Sequence, residues 1–251
     1  MGDHIVKFDP EEDAFDFMRA IGLEQEIDPE PVIEERVAPR PLSHEDFTVY
    51  DPFAEGPLAS KAEFELRIVR RLLRGPPFAL TDPMLEEMRG LKLFGVYALF
   101  YQGTHELYAK LLSPASQNPV YAGSNKKAAL RINGHRKSIS KSDLKPVDFT
   151  VRFLILDETL YRAVELVIHE MFHPVWIYEL TGFGTPGTGS ADLNKKRAER
   201  QNRSEWDSMH NLTRIAGADT GNTKWELARK VERGIPKCLR AYHQAMKLLA
   251  V

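Results

Sequence analysis

The spacing of hydrophobic positions changes along the chain, and the change predicts its elements. Residues 59–74, ASKAEFELRIVRRLLR, place Phe64, Ile68, Val69 and Leu72 at helical spacing and stop at GPP, predicting one helix. DPMLEEMRG (82–90) predicts a short helix at most. Continuous β-branched and aromatic runs then replace the helical stripe. FGVYALFY (94–101), NPVYAGS (118–124) and DFTVRFLILD (148–157) predict three strands bounded by turn residues. Between the last two, NKKAALRINGHRKSI (125–139) predicts a helix weakened by Asn133 and Gly134. ETLYRAVELVIHEMFH (158–173) carries an apolar stripe of Leu160, Tyr161, Val164, Val167, Ile168 and Met171, with Asp157 placed to cap it. Beyond it come a Gly-rich segment, TGFGTPGTGS, read as a flexible turn, a basic run, NKKRAERQNR, and two helical patterns separated by Pro236.

Composition fits a globular chain, with 43% hydrophobic and 28% charged residues. The single Cys238 excludes an intramolecular disulfide framework. The N-terminus shows no basic-plus-apolar leader, so a reducing cytoplasm is the expected location, and no apolar run approaches the roughly 20 residues of a membrane span. The net charge of −2 hides an asymmetry: residues 1–50 hold 14 acidic and 4 basic side chains, leaving +8 for residues 51–251. The first fifty residues are read as an acidic extension, and the positive body makes nucleic acid a candidate partner.

HEMFH (169–173) fits the zinc-peptidase pattern H-E-x-x-H letter for letter. On a helix turning about 100° per residue, His169 and His173 fall opposite the apolar stripe, and Pro174 disfavours a helical backbone at His173. A solvated helix face is the expectation, and zinc hydrolysis, with Glu199 or Glu205 as third ligand, a remote alternative. The Gly-rich segment lacks the G-K-[ST] ending of a phosphate-binding P-loop.

Gly95-Val96-Tyr97 and Tyr121-Ala122-Gly123, in consecutive predicted strands, resemble the paired tripeptides of the GIY-YIG nuclease superfamily. Arg131 and His135 follow on one helix face and Glu165 on the next helix. Asp148-Phe149, Pro174-Val175-Trp176, Gly182-Phe183-Gly184 and the run Ser204 to His210 (S-x-W-D-x-x-H) are similar to the type II restriction-endonuclease branch. The resemblance implies an α+β fold, a small antiparallel β-sheet flanked by helices. It divides the chain into the extension (1–50), a nuclease domain (51–216) and a helical segment packed on it (217–251).

It further implies a sequence-specific, double-stranded DNA endonuclease, a homodimer or higher assembly acting on a GC-rich palindrome with Mg2+ or Mn2+. Tyr97 would be the general base, assisted by Tyr121 and His135, while Arg131 clamps the phosphate and Glu165 holds one hard cation. A phenol titrates near 10, so the base role needs Arg131 or the cation to lower it. Arg197, Arg200, Arg203 and His210 are the candidate DNA contacts, although the arginines fit a solvated charge run equally well. One position departs from the family. Ile177 stands where an asparagine that helps arrange the phosphate is usual, which leaves open a catalytically impaired DNA-binding protein.

Overall fold

The computed structural model describes residues 39–58, 60–109, 111, 118–180, 182–184, 205–210 and 223–249. The chain divides into Met1–Ile33, outside the described residues, and Glu34–Val251, which holds every element below.

Helix α1 spans Lys61–Arg74, its first turn closed by the Ser60 hydroxyl accepting the Glu63 N–H. Then come strand β1 (Phe78–Ala79), α2 (Met84–Glu87), β2 (Gly95–Tyr101), α3 (Glu106–Ala109), β3 (Tyr121–Asn125), α4 (Ala128–Ile139), β4 (Phe149–Ile155), α5 (Tyr161–Phe172), α6 (Val175–Tyr178), α7 (Glu205–His210) and α8 (Lys224–Leu249). The four strands form one antiparallel sheet in the order β1-β4-β2-β3. This is the expected α+β architecture, with the two-residue β1 added at one edge.

The continuous apolar runs follow from burial on both faces. Tyr97, Leu99 and Tyr101 point into a core with Ile132 and Ile139 of α4 and with Trp176 and Phe183. Val96, Ala98 and Phe100 alternate into a second core with Ile68, Val69 and Leu72 of α1 and Val164, Ile168 and Phe172 of α5.

Helix α8 runs unbroken through Pro236, where two helices are expected. It buries Leu227, Val231, Ile235 and Cys238 in the first core and Tyr242 and Ala245 in the second. An interior proline costs about 3 kcal/mol, whereas each large apolar side chain buried returns about 1.5–3 kcal/mol, so the stripe on both sides of Pro236 holds the helix together.

Two further expectations shift. Asp157 does not cap α5; its carboxylate accepts the Thr159 N–H and hydroxyl in a local turn, and the helix starts at Tyr161. The boundary at residue 50 falls inside a docked stretch: Leu42 is buried with its N–H on Asp82, Phe47 stacks on Phe153, and the Tyr50 N–H donates to the Ile155 carbonyl.

Candidate active site

Strands β2 and β3 pair so that Tyr97 lies opposite Gly123 and Leu99 opposite Tyr121. Both tyrosines therefore project from one sheet face, diagonal to each other, with ring centroids 6.3 Å apart. Helix α4, held on that face by Ile132 and Ile139, brings Arg131 and His135 to the same place. Tyr97 Oη lies 2.8 Å from His135 Nε2, and the Tyr121 ring lies 4.9 Å from the imidazole. Gly123 is required beneath Tyr121, because a β-carbon there would come within 2.7 Å of the Tyr121 hydroxyl.

The Gly182-Phe183-Gly184 turn closes over this group, where a flexible turn is expected. Phe183 stacks on His135 at 4.7 Å and meets Tyr121 edge-on at 4.9 Å, while Arg131 donates to the Gly184 carbonyl. Gly184 sits at φ +70°, and a side chain there would overlap the Tyr121 hydroxyl and the His135 ring. Beside Arg131 opens a cavity of about 640 Å³, lined among others by Asn125, Gly134, Lys137, Ser138 and Lys141. Asn133, awkward in a helix, is buried and donates to Glu86 at 2.6 Å.

Burial holds this group uncharged apart from Arg131. Desolvation, then Tyr121, push the Tyr97 phenol well above its ordinary value; Arg131 pulls it down and Glu165 pushes it further up. Tyr121 is raised to about 12, by burial first. His135 is held well below an ordinary histidine by burial and by Arg131, so it is neutral and offers a lone pair. The expected lowering of Tyr97 by Arg131 is thus outweighed by desolvation.

Glu165 approaches from the other side of the sheet. Its neighbours Val164, Val167 and Ile168 are buried, and its half-buried carboxylate reaches around β3 to accept the Ser124 N–H at 2.8 Å and the Ser124 hydroxyl at 2.7 Å. It is near enough for its charge to act on both phenols. The donor set fits a hard divalent cation: one oriented carboxylate, whose oxygens keep further lone pairs, with water and phosphate oxygens to complete the shell. Ile177 is partly buried against the core beside Trp176, a packing residue with no polar group to offer.

Among the described residues HEMFH gathers no set of metal ligands. His169 is half-buried, not solvated, with Nε2 3.0 Å from the Ala122 carbonyl on β3. His173 lies beyond the helix end at φ +48°, stacked on Tyr178 at 3.8 Å. Glu205 pairs with Lys230 at 2.8 Å; Glu199 lies outside the described residues.

His210 is corrected as a DNA contact, because it is fully buried and hydrogen-bonded through both ring nitrogens. Trp176 Nε1–H donates to Tyr108 Oη at 2.9 Å, Tyr108 meets His210 Nε2, and His210 Nδ1 lies 2.8 Å from Asp143. Trp176, Phe183 and Trp206 pack around this chain at ring separations of 4.6–5.6 Å. The P-x-W, GFG and S-x-W-D-x-x-H motifs thus meet in one aromatic cluster that backs the site. Tyr108 and Asp143 carry no signal of this in the sequence, since their partners are remote along the chain. Arg197, Arg200 and Arg203 lie outside the described residues.

Residues 115–236 match the family model of the Eco29kI GIY-YIG domain, a restriction-endonuclease family. No curated protein matches the chain. The matched stretch begins after β2, so Tyr97 is placed by the sheet register and not by the match. The resemblance drawn from the sequence is borne out over that stretch: residues 115–236 match a GIY-YIG restriction-endonuclease domain, which implies a hydrolase with DNA as its partner. No helix among the described residues is long and apolar enough to cross a membrane.

Proposed function

Taking residues 115–236 as a GIY-YIG restriction-endonuclease domain, we propose that this protein cuts both strands of a specific duplex DNA site, using one divalent cation of the Mg2+ or Mn2+ type at each active centre. The observation that carries the reading is the convergence of Tyr97, Tyr121, Arg131 and His135 on one pocket within reach of the Glu165 charge.

When bound, the cation neutralises phosphate charge and acidifies the attacking water. Glu165 holds it, and Ser124 fixes the carboxylate. Arg131 turns its remaining N–H groups to the phosphate, and the planar fork matches two oxygens at once. The water gives its proton to Tyr97 Oη while Tyr97 passes its own to the neutral His135 Nε2, 2.8 Å away. Tyr121 stands beside the Tyr97 phenol on the same sheet face, with ring centroids 6.3 Å apart, and helps to place it. The water oxygen forms the new bond to phosphorus, and the departing oxygen leaves with its electron pair and is protonated from solvent.

Lys137 and Lys141 along the cavity, with Arg197, Arg200 and Arg203, would take up neighbouring phosphates. A palindromic, GC-rich target cut in both strands asks for two centres related by symmetry, hence a homodimer or larger assembly in the cytoplasm.

Plasmid DNA incubated with the protein and Mg2+ should give discrete fragments, and Glu165→Gln should abolish them while leaving gel-shift affinity within about twofold. Normal cutting by that variant would sink the reading. Ile177 supports a second reading, a DNA-binding protein of this fold with impaired catalysis. A specific gel shift without cleavage by the wild-type chain would favour it, and Ile177→Asn would then restore cutting.

A further inference from the structure

At the far end of the aromatic cluster, three segments remote in sequence bring two imidazoles and a carboxylate together. His105 precedes α3, Asp143 follows α4, and His210 ends α7. One donor atom from each lies within 4.8 Å of the others, the sole such group of three among the described residues. Glu165 belongs to no such group.

We propose that His105, Asp143 and His210 bind a zinc-type divalent ion, at a site separate from the nuclease centre. Two nitrogens and one carboxylate oxygen, with room for water, are a donor set suited to zinc and poorly suited to magnesium. Asp143 is 30% exposed and His105 half-buried, so an ion has a way in, while His210 is completely enclosed.

The surroundings match what a metal-binding histidine requires. His210 Nδ1 already lies 2.8 Å from Asp143 Oδ1, and its other nitrogen is held by Tyr108, itself fixed by Trp176 at 2.9 Å. Such an outer partner orients the ring and is the usual companion of a ligating imidazole. On a tetrahedral zinc with bonds of about 2.0–2.1 Å, donor atoms stand about 3.3 Å apart. The Asp143–His210 pair therefore opens by about half an ångström and His105 closes in, a movement confined to partly exposed residues. The ring proton passes from Nδ1 to Nε2, which then donates to Tyr108 as that hydroxyl turns its own hydrogen away.

The hydrogen-bonded chain from Trp176 through Tyr108 and His210 accounts for Asp143, while His105 packs against Tyr108 and His210 with Nδ1 accepting the Leu107 N–H at 3.3 Å, which leaves its Nε2 for an ion. A metal accounts for all three. Its work is structural: it ties the segment after β2, the segment after α4 and helix α7 together behind Trp176 and Phe183, and so steadies the turn that covers Tyr121 and His135.

The experiment uses the full chain, stripped with EDTA and titrated without DNA by zinc chloride against a chromophoric chelator. The wild-type protein and Glu165→Gln should each take up one zinc, while Asp143→Asn and His105→Ala lose at least about tenfold in affinity. His169→Ala should keep the wild-type affinity, which separates this site from HEMFH. Thermal melts of the metal-free variants check folding, and zinc should raise the melting temperature of the wild type alone. Cobalt should give the wild type the visible absorption of a tetrahedral centre, independently of any variant. No zinc uptake by the wild type, undiminished uptake by Asp143→Asn and His105→Ala, or loss on Glu165→Gln would overturn the proposal. None of these results bears on DNA cleavage itself, whose failure would be seen separately in the plasmid digest.

Discussion

Glu165 and Ser124 are joined twice: the carboxylate accepts the serine backbone N–H at 2.8 Å through one oxygen and its hydroxyl at 2.7 Å through the other. The residue after the second tripeptide therefore sets the direction in which the carboxylate proposed to hold the cation points. Ser124→Ala keeps the backbone bond and removes the hydroxyl. The Mg2+ concentration for half-maximal cleavage should rise by about tenfold, with the rate at saturating Mg2+ largely restored. Rate against Mg2+ concentration checks this; a loss that no amount of Mg2+ recovers would assign Ser124 a different role.

Tyr97 is buried and its hydroxyl has His135 as a partner at 2.8 Å. Tyr97→Phe takes away the proposed proton acceptor and leaves His135 Nε2 unpaired. Single-turnover cleavage should fall by about 10²–10⁴-fold, and urea unfolding should register a loss of about 1–3 kcal/mol, while DNA affinity changes little.

Two glycines should respond in opposite directions. Gly184, at φ +70° against Tyr121 and His135, should lose activity as Gly184→Ala, because the GFG turn cannot seat, at a cost of about 1–3 kcal/mol. Gly134, helical with open space around it, should stabilise the protein by about 0.5–1 kcal/mol as Gly134→Ala. Thermal melts of the two variants decide between them.

His135 and His210 are both held below the ordinary 6.5 by burial. The unfolded chain takes up a proton at each near that value while the folded chain does not. Stability is therefore complete above about pH 7 and erodes as the pH falls from about 6.5 toward the folded values, at about 1.4 kcal/mol per pH unit for each histidine. His173 is held low as well, so His135→Asn should reduce the slope of unfolding free energy against pH in that window without abolishing it; an unchanged slope would mean that His135 titrates alike in both states.

Residues 1–38 hold 12 acidic and 3 basic side chains. If they compete with DNA for the positive body, a chain starting at residue 39 should cleave faster at low salt and lose that advantage as ionic strength rises. Equal rates at every salt concentration would leave the acidic arm some other task.

The three long strands were legible because both sheet faces are covered, which makes Gly95–Tyr101 and Phe149–Ile155 mainly apolar runs buried at every position. Phe78–Ala79 was not, since two residues carry no period. The site was legible only through the paired tripeptides and their downstream motifs; no spacing rule says that Tyr121 and His135 meet across the 13 residues between them. His210 was misread for the same reason: a motif fixes order along the chain, whereas burial is decided by Tyr108, Asp143 and Trp176, each at least 34 positions away. Helix α8 shows the converse case, in which burial along its length overrides the local veto of Pro236.

Strand β3 is the outermost of its sheet, yet three backbone groups along this rim are already engaged. The Val120 carbonyl receives the Trp176 N–H, the Ala122 carbonyl meets His169, and the Ser124 N–H is held by Glu165. Side chains and a helix end stand where another ribbon would otherwise lie. A second copy cannot lengthen the sheet across this rim, and neither can an aggregating peptide. Two subunits that met by strand pairing would have to do so elsewhere, away from the rim where Glu165 grips Ser124.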